Sequence, residues 1–248
     1  MTNTICKNRV GLNSNQLRLL AVFFMLLDHL WGTVISGQLW MNCVGRLAFP
    51  IFAFLIAEGY AHTHDWKNYA KRLFLFALIS EVPFDYMLES TLLFPFHQNV
   101  MFTLLLGLLA IRCWERASAA EKVTARFGWS MLCLLCILMG TVGMTDYSSM
   151  GVVTVLMFWV SRNLPYRWVF QLVCMVLLNI VGANGFVFPL EIGAWKYEFP
   201  LQGFAVLALI FIWMYNGKKG RTSKPLQYAV YAFYPAHMLL LHLIRALN

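Results

Sequence analysis

Charged side chains are scarce in this sequence, and acidic ones are the scarcest. Asp, Glu, Lys and Arg make up 12% of its 248 residues, whereas soluble domains contain about 25%. Hydrophobic residues make up 60%, and the mean hydropathy is +0.65. This composition excludes an ordinary soluble domain. It predicts an all-α, polytopic integral membrane protein, with one domain over residues 1–248 and a lipid bilayer around it.

Motifs of several common chemistries are also absent. The sequence has no HExxH and no two histidines four residues apart, so no metal site is expected. It has no P-loop, no GxGxxG and no serine nucleophile elbow. Cys133 and Cys136 have the CxxC spacing of redox proteins but lie within an apolar run. We therefore expect them to pack as small apolar side chains.

Nine apolar stretches predict membrane-spanning helices, each of which needs about 20 residues. They are 17–36, 44–61, 72–90, 98–113, 127–143, 149–161, 167–183, 200–215 and 225–247. Residues 184–199 are predicted to form a re-entrant segment or a short extra helix.

The basic residues predict the orientation of these spans. With the N-terminus in the cytoplasm, all but three of the 19 Lys and Arg residues fall on the cytoplasmic side, the exceptions being Arg46, Lys196 and Arg245. The formal net charge of +8 is then explained by topology and lipid headgroups. No nucleic-acid partner is expected.

The first predicted span carries an ionisable pair, Asp28 and His29, deep in an apolar run. An Asp at a helix centre costs about 2.5–3.5 kcal/mol on insertion. Arg18 precedes His29 by eleven residues, which is three turns plus about 20°, so both project from one face roughly 16 Å apart. Asp28 lies about 100° away from that face. A cation at the membrane edge below a mid-bilayer imidazole is therefore a candidate site.

The second and third spans contain further ionisable groups. Arg46 lies at the outer end of the second span and Glu58 near its inner end, where each is either an interfacial residue or part of the site. Glu81 and Asp85 are four residues apart on either side of Pro83. Like charges at this spacing repel unless a cation or a proton intervenes, which favours a functional role.

Polar groups also occur in the fourth and last spans. Asn99 either lines a cavity mouth or caps its helix. Tyr231, Tyr234 and His237 are spaced by three residues, so they form one polar stripe on the last helix. Such a stripe within an apolar helix favours a cavity.

Several of these segments together resemble the TraX family of bacterial inner-membrane proteins. The matching segments are MLLDH (25–29), GRLAFPIFAFLIAEGY (45–60), EVPFD (81–85), QNVMFTLLLGLLA (98–110) and YPAH (234–237). Residues from about 115 to 200 match only in hydropathy. The spacing of Arg18 and His29 is also similar to that of acyltransferase-3 proteins, within a wider group of transmembrane acyltransferases.

The resemblance implies an activity, because TraX is associated with N-acetylation of pilin. It implies acetyl transfer from cytoplasmic acetyl-CoA to an acceptor, either a pilin or an envelope polysaccharide. The implied cofactor-binding residues are Arg18, Lys71 and Arg72 at the cytoplasmic rim. His29 would be the general base, or else an acetyl-carrying nucleophile.

Roles for the remaining candidates follow from the same resemblance. Glu81, Asp85 or His237 would orient the His29 ring, since the nitrogen outside the chemistry needs a fixed partner. Arg46 or Asn99 would stabilise the developing oxyanion.

Three further candidates have supporting roles. Asp28 would anchor a neighbouring helix through Arg46, and Glu58 and Tyr234 are candidate substrate contacts. Two alternatives remain open on the sequence: a proton-coupled secondary transporter that uses Asp28, Glu81 and Asp85 as a relay, and a membrane scaffold without enzymatic activity. The sequence does not fix the oligomeric state.

Overall fold

The computed structural model describes residues 11–182, 185–192, 195–220 and 224–247. The N-terminal cations Lys7 and Arg9, Arg221 of the loop 217–224, and the Tyr231 side chain lie outside the described part. Sequence-based expectations about these groups therefore stay predictions.

The described residues fold into a helical bundle with one β-hairpin. The first four helices are α1 (Ser14–Thr33), α2 (Leu39–Gly45), α3 (Ala48–His62) and α4 (Trp66–Glu89). They are followed by α5 (Val100–Ala119), α6 (Val123–Val142), α7 (Ser148–Ser161) and α8 (Arg167–Val176), which continues as a π-helical turn, Leu177–Val181. The hairpin strands β1 (Val187–Ile192) and β2 (Trp195–Pro200), a 3₁₀ helix (Leu201–Leu207), α9 (Ala208–Trp213) and α10 (Lys224–Leu247) complete the chain.

Local sequence signals explain where the helices that carry the site begin. Asn13 caps α1 by accepting hydrogen bonds from the first-turn N–H groups, and the Gln16 side chain bonds back to the Asn13 N–H. This reciprocal arrangement satisfies donors that the helix itself leaves unpaired. Asp65 and Asn99 cap α4 and α5 in the same general way.

The break between α2 and α3 follows from Pro50. A proline has no N–H, so the carbonyl of Arg46 cannot receive the usual helical bond from residue 50. The helix ends at Gly45 and restarts at Ala48, which leaves Pro50 in the first turn, where a missing N–H costs nothing. The break frees Arg46 to project from the junction.

All nine predicted spans coincide with helical segments, so the all-α class is confirmed. Two stretches are long and apolar enough to cross a membrane by length and composition, Leu39–His62 (67% buried) and Val123–Val142 (11% buried). The nine-crossing topology, the cytoplasmic N-terminus and the bilayer setting remain predictions.

The short helix predicted as one alternative for residues 184–199 was wrong, and the re-entrant alternative stays a prediction. Instead of a helix, β1 and β2 pair antiparallel, with Val187 opposite Pro200 and Ile192 opposite Trp195. The segment is rich in aromatic and β-branched residues, which favour strands. Pro189 is also poorly tolerated within a helix but is accepted in an edge strand.

Helix packing places the two ends of the chain side by side. At the centre, α5 packs on α3, α4, α6 and α7, while α1 packs on α2, α3 and α10. Helix α10 lies between α1 and α4. The core contains Leu17, Ile51, Leu108 and Val155, all fully buried. This packing brings the His29 face of α1 against α10.

The contact between α5 and α7 supplies a stability test. A β-carbon at Gly107 would lie 2.6 Å from Cβ of Val155, whereas one at Gly128 in α6 would meet nothing within 4 Å. We expect Gly107→Ala to cost about 1–3 kcal/mol through overpacking. Gly128→Ala should be neutral or stabilise by up to about 1 kcal/mol, because Ala favours helix. Thermal unfolding of the purified variants checks this, and equal melting temperatures would contradict the packing at Gly107.

Candidate functional site

Two histidines, 208 positions apart in sequence, meet between α1 and α10. His29 Nδ1 lies 2.7 Å from His237 Nε2, and the rings are nearly parallel, at 6°. His237 Nδ1 lies 2.8 Å from the Phe233 carbonyl oxygen. A carbonyl can only accept, so His237 Nδ1 carries the hydrogen and its Nε2 accepts from His29 Nδ1–H. In the neutral pair, the lone pair of His29 is therefore on Nε2.

Neighbouring side chains on α10 fix the His237 ring. The Phe233 ring lies parallel to it at 4.8 Å between centroids, and the Tyr234 ring lies 5.9 Å away. His237 itself is 4% exposed. Of the three residues predicted to orient His29, His237 is thus the one in contact with it.

Asp28 points to another side of α1, as its rotation from His29 predicts. Its Oδ1 forms a 3.0 Å ion pair with Arg46 Nη2 and accepts a 2.8 Å hydrogen bond from Asn42 Nδ2. Both partners belong to the α2–α3 segment. The expected contact between Asp28 and Arg46 is therefore present, and it ties α1 to α2 beside the histidine pair.

Arg46 extends this network away from α1. Its Nη1 lies 3.5 Å from Gln202 Oε1, and Gln202 Nε2 donates a 3.1 Å hydrogen bond to Asn179 Oδ1. Asn179 lies in the π-helical turn that follows α8. The buried Nε of Arg46 has no partner among the described residues. The guanidinium is thus held through its two Nη groups.

Glu81 and Asp85 lie apart from His29 and hold the α4–α5 connection. Asn99 contacts Glu81 through both its backbone N–H and its side-chain amide. Asp85 Oδ2 accepts a 2.8 Å hydrogen bond from the Phe94 N–H. The prediction that either carboxylate orients His29 is not supported by these positions. Asn99 caps α5, which is one of the two roles that the sequence predicted for it.

The α4–α5 and α6–α7 connections pair with each other at this end of the bundle. The Gln98 N–H donates to the Met144 carbonyl at 2.9 Å, and the Asp146 N–H donates to the Gln98 carbonyl at 2.8 Å. His97 Nε2 lies 3.7 Å from Asp146 Oδ1, and hydrogen bonding to that carboxylate raises the pKa of His97. Asp146 is thereby held near Arg46.

A polar cavity of about 290 Å³ opens at the other end of the bundle, here called the rim cavity. Its cationic lining residues are Arg18, Arg72 and Lys219, and Glu58 also lines it. Glu58 is paired with Arg162 at 3.3 Å, which joins α3 to α7. Lys71 is exposed on α4 and is not among the residues that line this cavity, contrary to its predicted role.

A second, apolar cavity of about 110 Å³ continues inward from the rim cavity. Arg18, Leu55 and Tyr69 line both spaces. The inner cavity is otherwise lined by Val22, Met25, Phe52, Ile56, Leu73, Phe76, Val100, Met101, Leu104 and Tyr234. The two cavities together form an amphipathic path from the cationic rim into the bundle.

The inner cavity leads towards the histidine pair. Arg18, Val22 and Met25 occupy the face of α1 that reaches His29 one turn later. On α10, Tyr234 precedes His237 by three residues. The deep end of the cavity therefore lies about one helical turn, roughly 5 Å, from the pair.

A third cavity, of about 450 Å³, lies at the opposite end of the bundle from the rim and is here called the distal cavity. It is lined by Arg46, Asp146, Asn179 and Gln202, together with hydroxyl groups that include that of Ser148. Charged, amide and hydroxyl groups of both donor and acceptor type thus surround it. Arg46 faces this space while it pairs with Asp28 beside His29.

Sequence reasoning missed the neutral members of the site. Asn42, Asn179 and Gln202 each stand alone in an apolar stretch, and a buried amide is costly unless it is hydrogen-bonded. That cost is the signal in the sequence that could have identified these amides as site residues. For Lys219, the sequence predicts only a role in membrane topology. Within the described ranges, no group of three or more His, Cys, Asp or Glu side chains is arranged to hold a metal ion.

Comparison with known proteins places these residues in a family. The TraX protein family matches residues 13–245, a range that includes every site residue above. The probable fimbrial assembly protein FimC, serogroup H1, of Dichelobacter nodosus is 28% identical over 246 residues, covering 94% of this chain and 95% of that protein. No solved structure matches. Since the family match spans nearly the whole sequence, the chain belongs to the TraX family.

Proposed function

We propose that this protein is a membrane acetyltransferase that moves an acetyl group from acetyl-CoA to an amine or hydroxyl acceptor. The observation that carries the proposal is that the cationic rim cavity and the apolar inner cavity share lining residues and lead inward to within about one helical turn of the histidine pair. We place the enzyme in the bacterial inner membrane, with the rim on the cytoplasmic side where acetyl-CoA is found.

The two connected cavities match the two parts of the donor. Coenzyme A has an anionic nucleotide head, which suits the rim cations Arg18, Arg72 and Lys219. Its thinner pantetheine arm suits the apolar inner cavity. A helix rises 1.5 Å per residue, so the step from Arg18 to His29 is roughly 16 Å. An extended arm reaches that depth and delivers the thioester close to the histidine pair.

His29 is the proposed general base. The acceptor nitrogen or oxygen attacks the thioester carbonyl carbon while its proton moves to His29 Nε2. Collapse of the tetrahedral intermediate breaks the C–S bond, and the departing thiolate takes up the proton from His29. We place the acceptor atom between the cavity end and the imidazole, which are about one helical turn apart.

His237 is a positioning residue for this step. It accepts from His29 Nδ1–H, so Nε2 of His29 is kept as the basic nitrogen. When His29 becomes an imidazolium, the neutral His237 stabilises it through the same bond. Two adjacent imidazoliums would repel each other, so the pair takes up one proton and not two.

The distal cavity is the proposed entrance for the acceptor. Its lining contains both hydrogen-bond donors and acceptors, as an amine or a hydroxyl on a larger chain requires. Arg46 is the proposed oxyanion donor, because it is the cation that lines this cavity, whereas the Asn99 amide is already bonded to Glu81. Entry from this end keeps the acceptor separate from the donor.

The family relationship supports a pilin as the acceptor. TraX proteins are associated with pilin acetylation, and the similar Dichelobacter nodosus protein carries the name of a fimbrial assembly protein. An envelope polysaccharide is the second acceptor class. Mass spectrometry of pilins and of envelope polysaccharides, with and without this protein, decides between the two acceptor classes. Acetylation adds about 42 Da to the molecule that is the acceptor.

The histidine pair supplies the central activity test. We expect His29→Ala to lower the rate of acetyl transfer from labelled acetyl-CoA by about 10²–10⁴-fold, the usual contribution of a general base. His237→Ala should lower the rate less and shift the pH profile, because it leaves the base in place without its partner. The measurement is incorporation of label into the acceptor identified by mass spectrometry.

His242→Ala is the matched control, because His242 lies on the same helix but contacts Tyr86, outside the site. It should retain activity. Full activity in His29→Ala would exclude His29 as the base.

The rim cations supply a separate donor-binding test. We expect Arg18→Ala or Lys219→Ala to weaken acetyl-CoA binding about tenfold each, since hydrogen bonds to charged groups contribute about 1.5–3 kcal/mol. Raising the salt concentration should weaken binding to the wild type more than to these variants. Lys67→Ala, an exposed cation on α4 away from the cavity, is the control. Equal losses in all three variants would show a nonspecific charge effect.

A further inference from the structure

The deep end of the inner cavity is lined by two neighbouring residues of α5 and one of α10, together with Met25 of α1. Val100 and Met101 form the first turn of α5, and Tyr234 comes from α10. Leu104 lines the same cavity one turn nearer to the rim, because α5 begins at the distal end and runs towards the rim. The path therefore ends at the Val100, Met101 and Tyr234 side chains, here called the end wall.

Polar contacts outside the cavity hold the end wall in place. Asn99, which precedes Val100, donates to the Ala77 carbonyl at 2.8 Å and contacts Glu81. These bonds join α5 to α4, and α10, which carries Tyr234, packs on α4 as well. Helices α4, α5 and α10 are thus held together behind the wall. A wall anchored to three helices cannot move aside at little cost for a longer ligand.

We propose that the end wall sets the length of the acyl group that the protein accepts, with Met101 as the residue that stops longer chains. This inference rests on the proposed function, because it takes the inner cavity to hold the acyl-carrying arm of the donor. The arm enters past Arg18, so the acyl group leads and the end wall is what it meets.

The chemistry of the wall explains why a two-carbon group fits best. With the thioester carbonyl at the deep end of the cavity, the acetyl methyl group contacts the wall. Each additional methylene must displace Met101, Val100 or Tyr234. One methylene more or less in an apolar pocket changes discrimination by about 10–200-fold. Donors with four-carbon acyl groups are therefore excluded far more strongly than those with three.

Binding of acyl-CoA donors to the purified full-length protein tests the proposal without any knowledge of the acceptor. The probes are acetyl-CoA and butyryl-CoA, and the quantity is the ratio of their dissociation constants in one preparation. This ratio does not depend on the fraction of protein that is folded. We expect the wild type to favour acetyl-CoA by at least about 100-fold, from two methylenes.

Three variants separate the wall from the rest of the cavity. Met101→Ala should reduce the ratio at least about tenfold, because it opens the end of the path. Leu104→Ala removes the same number of heavy atoms from the cavity side and should leave the ratio unchanged. Met101→Leu, which nearly conserves volume, should preserve the wild-type ratio.

The outcomes distinguish this proposal from the function on which it rests. Tight acyl-CoA binding with equal constants for the two donors, or an unchanged ratio in Met101→Ala, overturns the role of the end wall and leaves the donor site intact. Absence of binding by either donor overturns the donor site and the end wall together. A ratio that changes as much in Leu104→Ala as in Met101→Ala also overturns the assignment of Met101.

Discussion

The hydrogen bond between His29 and His237 is the contact on which the rest of the site depends. It joins α1 to α10, which are 208 positions apart at these residues, and it fixes the protonation pattern of both rings. The chain of hydrogen bonds ends at the Phe233 carbonyl oxygen, which can only accept. His237 must therefore donate to it from Nδ1 and accept from His29 at Nε2. A backbone atom of α10 therefore decides which nitrogen of His29 is basic. Repacking α10 against α1 would change the chemistry as well as the fold.

The carboxylates nearest in sequence or expected near the histidine pair bond to other groups and not to the imidazoles. Asp28 is adjacent to His29 in sequence, yet its carboxylate is taken up by Arg46 and Asn42 on another side of α1. Glu81 is bound by Asn99, and Asp85 by the Phe94 N–H. Each carboxylate thus has a local partner, although Glu81 Oε1 and Asp85 Oδ1 are buried without a hydrogen-bond partner among the described residues. The imidazole pair is thus left without a carboxylate partner among the described residues that would make it more basic.

Sequence periodicity was sufficient for the helices and for one face of the site. Arg18, Val22 and Met25 line the path to His29, as the helical repeat predicts. The partner of His29 could not be chosen from Glu81, Asp85 and His237, because helix packing is a long-range property. The hairpin at 187–200 was missed because its apolar composition also suits a membrane segment. Asn179 and Gln202 were missed because the predicted site was built from charged and ionisable side chains. Burial of a neutral amide without a hydrogen bond also costs free energy, so it too could have indicated the site.

Tyr234 connects the inner cavity to the histidine pair. Its ring lies beside His237, and its side chain lines the inner cavity. A ligand that presses on the end wall therefore presses on the residue next to the positioning histidine. Displacement of Tyr234 by an oversized group would disturb the hydrogen bond that keeps Nε2 of His29 basic. In the proposed mechanism, the contact that limits the size of a donor therefore also penalises reaction of a donor that has been forced in.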